Sequence, residues 1–303
     1  MPVPRFSIII TSYNQREFIK DAVNSALSVR NTQSEIIVVD DASSDGTPEI
    51  LRQFGGAIRV ICRDTNQGAA VVRNCGAALA TGEYLVFLDG DDAFLPWALE
   101  VYERIAQAKK PKMILGRLRG FEGRLPALQP EDTPRDIRSV EYLDYLRKDR
   151  AFDISASALV IDRESFQGAQ GWSWDAWPMD DQDLVLRLGN CGRTIQVVAP
   201  HTAFYRSHAA NTSKNVPPFV AALGKIIHNE RAGEYPGGKR RRRERRAIIG
   251  KEVVFWSMKA AKAGLYGASL KLLARGWTMA CVAVTRRLGV ALKGRQPCET
   301  LKM

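Results

Sequence analysis

The chain reads as an α/β protein built on a mostly parallel sheet and continued by a basic helical extension. Three observations predict this. Short apolar runs rich in Ile and Val alternate with helically spaced segments over the first ninety residues, the pattern of successive strand–helix units. Clusters of Asp, Asn, Ser and Gly separate those runs and supply the turns. Lys and Arg then accumulate beyond residue 213, where the strand signals stop.

The elements follow in order. Residues 6–10 form a continuous apolar run, as a strand buried on both faces requires. Residues 15–28 place Phe18, Ile19, Ala22, Val23, Ala26 and Leu27 at helical spacing. Residues 35–39 make a second strand, stopped by Asp40-Asp41-Ala-Ser-Ser-Asp45-Gly46, and Thr47-Pro48 suits a helix start. A third strand at 58–62, a turn at Asn66-Gln-Gly68 and a helix at 69–80 lead to a fourth strand at 84–88. The middle is less regular: a strand at 111–118, a loop at 122–138, a helix at 140–148, a strand at 156–161, a helix from 181 to 188, and strands at 195–199 and 203–205.

Composition narrows the class. The chain has 303 residues, 45% hydrophobic and 25% charged, which fits a globular enzyme and excludes a collagenous, coiled-coil or polytopic membrane protein. The net charge of +11 is unevenly placed. Residues 1–213 hold 24 Lys and Arg against 28 Asp and Glu, whereas 214–303 hold 20 against 5. An anionic partner for the second segment is expected. Five cysteines without a CxxC pair argue against zinc and against a disulfide framework, which suits a reducing compartment. Residues 1–6 show no secretory pattern, and the uncharged stretch at 276–285 is far short of a membrane span. A cytoplasmic protein is expected, with peripheral attachment to the inner membrane face an option.

Open parallel sheets bind ligands beyond the carboxyl ends of their strands. Two such ends carry acids: Asp40 and Asp41 after the second strand, and Asp89-Gly90-Asp91-Asp92 after the fourth. Carboxylates one residue apart, with glycine for the bend, converge on a hard divalent cation and leave positions for phosphate oxygens. Taken alone, Asp-x-Asp is better explained by a polar loop after a strand. No G-x-G-x-x-G follows the first strand, so a dehydrogenase is disfavoured.

The order of motifs is more specific. Phe6-Ser-Ile-Ile-Ile-Thr11-Ser12-Tyr13-Asn14, Glu35-Ile-Ile-Val-Val-Asp40-Asp41-Ala-Ser-Ser-Asp45-Gly46-Thr47, Asn66-Gln-Gly68 with Arg73-Asn74, and Gly82-Glu83-Tyr84 before Asp89-Gly-Asp91-Asp92 occur in series. Together with Trp177-Pro-Met-Asp180-Asp181-Gln-Asp183-Leu-Val-Leu-Arg187, they resemble the family 2 glycosyltransferases over residues 5–213. The resemblance implies the GT-A fold and inverting transfer from a nucleotide-diphosphate sugar, most often UDP-linked, with Mg²⁺ or Mn²⁺. It implies that Thr11 and Tyr13 border the nucleotide, that Asp41 bonds the base, and that Asp89 reaches the ribose or donor sugar. Asp91, together with Asp92, would hold the metal. Arg73 would approach the phosphates, with a solvated helix arginine as the plain alternative. His208, in Tyr205-Arg206-Ser-His208, would sit at the metal or diphosphate.

Asp181 matches the base of that family. A sugar hydroxyl is a poor nucleophile, and removing its proton during attack lowers the barrier. Asp180 stands where the family has Glu, and Gln182 where an aromatic is common. Both acids also suit a helix N-terminus electrostatically. Trp172, Trp174 and Trp177 precede the base and could wall an acceptor, with Asp180 beside them. A sugar nucleotidyltransferase and a catalytically inactive basic adaptor are the competing functions. Intact Asp41, Asp89, Asp91 and Asp181 argue against the adaptor.

The boundary is expected at 213/214. Residues 239–246, Lys-Arg-Arg-Arg-Arg-Glu-Arg-Arg, admit a solvated linker, a nucleic-acid patch or an anionic-membrane anchor. Leu270, Leu273, Trp277, Cys281, Val284 and Leu288 then recur at spacings of three and four, opposite Lys271, Arg275 and Arg286. That pattern suits a helix lying in a membrane interface, or one packed on the body. Gly264, Gly267 and Gly276 weaken helix propensity. Nucleic acid is disfavoured, since no recognition motif accompanies the run. The acceptor expected is a glycan or a lipid-linked sugar of envelope or exported polysaccharide synthesis.

Overall fold

A computed structural model describes residues 6–31 and 33–303. Residues 1–5, where the sequence reading found no secretory signal, lie outside the described residues.

The first half alternates as expected. Its elements are β1 (Phe6–Ser12), α1 (Ile19–Val29), β2 (Ser34–Asp40), α2 (Thr47–Arg52), β3 (Arg59–Cys62), α3 (Ala69–Leu79) and β4 (Tyr84–Asp89). The four strands are parallel, with β1 between β2 and β4, and β3 beyond β2. The apolar run of β1 is buried along its whole length, and α1 covers one face through Ile19, Ala22, Val23 and Ala26. Parallel pairing puts Thr11 opposite Asp89 and Ser12 opposite Asp40, so the acidic strand ends meet on one edge.

The second half departs from a parallel sheet. After β5 (Ala93–Phe94), α4 (Ala98–Lys109), β6 (Met113–Leu115) and β7 (Leu118–Glu122) come β8 (Asp136–Tyr142), β9 (Leu159–Asp162), α5 (Arg163–Gly168) and α6 (Asp180–Arg187). Then follow β10 (Thr194–Ala199), β11 (Ala203–Ser207), α7 (Val216–Ala232), α8 (Arg242–Lys262), α9 (Tyr266–Lys293) and β12 (Glu299–Lys302). Nine strands run in the order β12-β8-β10-β6-β9-β4-β1-β2-β3, and β5-β11-β7 form a small second sheet. β9 is antiparallel to both β4 and β6, and β8 is antiparallel to β10. An apolar run reports burial, not direction, so the mixed sense was invisible in the sequence.

The helix expected at 140–148 is the end of β8 followed by a single 3-10 turn at Tyr145–Arg147. Val140 pairs with Gln196 and Tyr142 with Thr194, so cross-strand partners override the local spacing. The closing strand β12, on β8, had no signal in the sequence.

α7, α8 and α9 pack into the same core as β4, β6 and α6, through Leu223, Ile226, Ile249, Val253, Leu272 and Met279. Gly276 lies where α8 and α9 touch: a Cβ there would come within 2.5 Å of Val253 Cγ2. The glycine that weakens the helix in isolation lets two helices meet closely. No helix among the described residues is long and apolar enough to cross a membrane.

The basic run at 239–246 is partly structural. Arg245 is 1% exposed and pairs with the fully buried Glu230 at 2.6 Å, while Nη1 and Nη2 donate to the Pro236 and Gly238 carbonyls. Arg241 holds Asp144 through both Nη atoms at 2.8 Å. Replacing Arg245 by Met strands Glu230 in the core, with Arg246 at 3.7 Å as its remaining cation. The expected loss is about 3 kcal/mol, read as a lower denaturant midpoint.

Candidate active site

The first group of candidate site residues is assembled from strand ends. Asp89 Oδ1 accepts from Thr11 Oγ1 at 3.3 Å and from Arg73 Nη2 at 2.7 Å. Gly90 follows immediately because nothing larger fits: a Cβ there would lie 2.7 Å from the Thr11 carbonyl, to which its own N–H donates. Asp41 is buried, and its oxygens accept from the Gln67 and Gly68 backbone N–H groups at 2.7–3.1 Å, with Arg63 at 3.5 Å. It therefore ties the turn at 66–68 to the end of β2. Tyr13 is half exposed on the rim, beside a turn held by Asn14 and Ser43–Ser44 hydrogen bonds.

The acids at 91 and 92 part company. Asp91 Oδ2 lies 2.9 Å from His208 Nε2, both partly exposed, so an oxygen and a nitrogen donor already converge. Burial and the neighbouring Asp89 charge raise the Asp91 carboxyl above its usual range, and His208 opposes them. Asp92 is 1% exposed, with one oxygen accepting from Ser157 Oγ at 2.6 Å and the other from the Arg206 N–H at 2.9 Å. It is spent on the fold and does not face the cleft, which corrects its expected place as a ligand. Burial and the charges of Asp91 and Asp89 push it well above the ordinary range. No group of three or more His, Cys, Asp and Glu stands ready around one point among the described residues. Asp91 and His208 alone fit a cation, which would take its remaining ligands from a bound diphosphate.

Arg206 was quoted in the sequence only as a neighbour of His208, yet it organises this turn. Its Nε donates to the Asp91 carbonyl at 2.9 Å, its Nη2 to Asp21 at 2.7 Å and its Nη1 to the Gly123 carbonyl. Ser157, also unmarked in the sequence, accepts from the Asp89 N–H at 3.0 Å. No spacing signal pointed to it, because it reaches β4 from a distant 3-10 turn at Ala156–Ala158.

The second group of candidate residues centres on the N-terminus of α6. Asp180, Asp181 and Asp183 fill its first turn, where the helix dipole favours anions. Asp180 is 4% exposed and bonds Arg73 Nη1 at 2.8 Å, so it does not border an acceptor as expected. Arg73 is 8% exposed and joins Asp89 on one side to Asp180 on the other. It is neither a solvated helix arginine nor a side chain free to reach phosphates. Asp183 accepts from Arg187 Nε and from Tyr235 Oη, each at 2.7 Å, so a residue of the basic extension braces the helix that carries Asp181.

Asp181 alone of the three has no cationic or hydroxyl partner among the described residues: one oxygen accepts from the Gln182 N–H at 2.6 Å, whereas Asp180 pairs with Arg73 and Asp183 with Arg187 and Tyr235. Burial raises its carboxyl well above the ordinary range, with the Asp180 charge second. A carboxylate poised to accept a proton needs that direction of shift. Trp174 and Trp177 are exposed, at 74% and 48%, beside this helix start. Trp172 is core instead, edge-on to Phe87 and stacked under Arg73 at 4.7 Å.

A mixed sheet with acids at the ends of its parallel half, facing a helix that opens on an aspartate, defines the GT-A fold. The chain belongs to glycosyl transferase family 2, whose model matches residues 7–168. It is 29% identical over 212 residues to WfaP of Escherichia coli, a UDP-Glc:α-D-GlcNAc-diphosphoundecaprenol β-1,3-glucosyltransferase, covering 69% of this chain and 80% of WfaP. It is 36% identical over 167 residues to TuaG of Bacillus subtilis (strain 168), provisionally a teichuronic acid biosynthesis glycosyltransferase. That match covers 53% of this chain and 63% of TuaG. In fold it resembles residues 1–349 of TarS from S. aureus, with a TM-score of 0.66 at 15% identity over 96% of this chain and 92% of that one. TarS 1–349 has also been solved with UDP and with UDP-GlcNAc.

Proposed function

We propose that this chain transfers a sugar, with inversion, from a UDP-linked donor to the hydroxyl of a glycan or lipid-linked acceptor in envelope or exported polysaccharide synthesis. The observation that carries the reading is Asp181: a carboxylate of raised pKa at a helix start, coupled through Asp180 and Arg73 to the donor-side Asp89. WfaP, by its name, uses UDP-Glc and a diphosphoundecaprenol-linked acceptor, and TarS binds UDP and UDP-GlcNAc, which supports the donor class.

Thr11, Tyr13 and Asp41 would border the nucleotide, and Asp89 the ribose or donor sugar. Asp181 takes the acceptor proton on the face opposite the departing diphosphate, as inversion demands. Asp91 and His208 would hold Mg²⁺ or Mn²⁺, which supplies positive charge where the leaving group becomes negative. Calorimetry with UDP, GDP and dTDP tests this. UDP should tighten about tenfold or more with Mn²⁺, and Asp91→Ala should abolish the gain. Failure of all three nucleotides to bind would overturn the reading.

The acceptor partner also bears on α9. Leu270, Trp277, Val284, Leu288 and Leu292 are each more than half exposed along one stripe, with Tyr266 at its start. Exposed stripes of this size mark an interaction surface. Exposed Lys262, Lys271 and Arg287 and the basic excess of residues 214–303 favour an anionic lipid surface over a second copy of the chain. Sedimentation with phosphatidylglycerol vesicles should carry the protein down, and Trp277→Glu with Leu288→Glu should leave it in solution. Concentration-dependent dimers without vesicle binding would assign the stripe to self-association.

A further inference from the structure

Lys148, Lys251, Arg286 and Arg287 gather cations from three elements with too few carboxylates to match. Lys148 ends the turn at Tyr145–Arg147, Lys251 is on α8, and Arg286 and Arg287 are on α9. Lys148 is 8% exposed, yet its ammonium donates only to the Arg150 carbonyl at 2.7 Å, and no carboxylate pairs with it among the described residues. Arg286 is fixed by donating to the Leu146, Lys148 and Glu244 carbonyls at 2.7–3.3 Å. Lys251 and Arg287 are exposed and pair with no carboxylate among the described residues.

The nearby acids, Asp149, Glu244 and Glu252, are three against these four cations, and Glu244 is shared with Arg147 and Arg241. Asp149 is committed to Tyr142 Oη at 2.9 Å and to the Gln296 N–H at 2.6 Å. Glu252 stands within electrostatic reach of Lys148 and Lys251, and also of Asp181. Burial, then the Lys251 and Arg286 charges, push the Lys148 ammonium down to about 7. Burial, then Arg286, lowers Lys251 as well. Like charges held together against that cost call for an anion.

The place of the cluster says which anion. The turn at Tyr145–Arg147 packs against α6 on one side and α8 on the other. Arg286 Nη2, on the Leu146 and Lys148 carbonyls, thus fixes the cluster to the turn that contacts the helix carrying Asp181, and the Asp181 and Arg286 charges both reach the Tyr145 phenol. We propose that Lys148, Lys251, Arg286 and Arg287 form an anion subsite that binds a phosphate or diphosphate ester carried by the acceptor, holding its hydroxyl toward Asp181. The proposal rests on the transferase reading, and no neutral glycan would need such a site.

Inorganic pyrophosphate is the probe, titrated by calorimetry into the full chain with EDTA present and UDP saturating, so that the donor side is filled. Lys251→Ala with Arg287→Ala, both at exposed positions, should weaken pyrophosphate about tenfold while UDP affinity stays unchanged. The same double variant should melt at a higher temperature, because repulsion is relieved. A residue kept for stability would do the reverse. Geranyl diphosphate and glycerol 1-phosphate are then used as competitors. Displacement by the first assigns a lipid-borne ester, and by the second a phosphate within a polyol chain. Equal pyrophosphate affinity in wild type and variant overturns the subsite, as does displacement by neither ester. UDP titrated alone judges the transferase reading separately: its failure with pyrophosphate binding intact removes the donor assignment and leaves the anion site standing.

Discussion

Asp181→Asn is expected to lower sugar transfer by about a thousandfold while UDP binding is retained. Asparagine fills the same volume and still accepts from the Gln182 N–H, so the helix start is preserved and only the proton acceptor is lost. The pH profile gives a second reading. The base works only when ionised, and burial with the Asp180 charge raises its pKa well above the ordinary carboxylate range. Activity in the wild type should therefore fall on acidification well before an exposed aspartate would protonate. The stability consequence has the opposite sign. A carboxyl whose pKa rises on folding favours the folded state when protonated and loses that contribution as pH rises through the folded value. Asp181→Asn should thus melt above wild type at neutral pH, with the difference shrinking at low pH. An acid limb in the usual carboxylate range, or full activity in the variant, would remove Asp181 from the role of base.

Arg73→Met is expected to cost both stability and turnover. The guanidinium lies between Asp89 at 2.7 Å and Asp180 at 2.8 Å, with about a tenth of its side chain exposed. Burial opposes its charge, and the two carboxylates more than restore it. Removing it leaves two acids without their shared counterion. Breaking a buried pair in this way costs about 3–5 kcal/mol, and the melting temperature should fall on the order of 10 °C. The folded fraction should also turn over slowly, because donor-side Asp89 and the segment carrying Asp181 lose their common anchor. Arg73→Lys restores one ion pair but cannot span both acids, so it should recover stability in part and activity hardly at all. An unchanged melting point in Arg73→Met would show that the bridge is dispensable.

The parallel half of the fold was legible because each of its signals is local. The Ile-rich run of β1 stays apolar when buried on both faces, and the Asp and Gly clusters that stop β2 and β4 fall at strand ends in any register. The acidic start of α6 was legible for the same reason, since a helix start is marked by its own residues. The strand β8 was not. Residues 140–148 carry apolar positions that fit a helix, and only pairing with β10 decides the matter.

Among the acids, sequence could name candidates and no more. Asp91 and Asp92 are adjacent and chemically identical, yet one meets His208 and the other is consumed by Ser157 and Arg206. Asp180 and Asp181 divide in the same way, one paired with Arg73 and one bonded only to the Gln182 N–H. The arginines at 241 and 245 look like their neighbours in a basic run, and packing makes them ligands of Asp144 and Glu230.

Sequence alone determined the strand–helix order of the first ninety residues, the acidic strand ends and the apolar stripe of α9. Periodicity and turn chemistry act within a few residues of chain. Tertiary structure decided the mixed sense of the sheet, which acids are buried and paired, and the meeting of Lys148 and Arg286 at the turn beside α6. Those outcomes depend on partners about a hundred residues apart in the chain, and only folding determines which charges are paired, buried or left exposed.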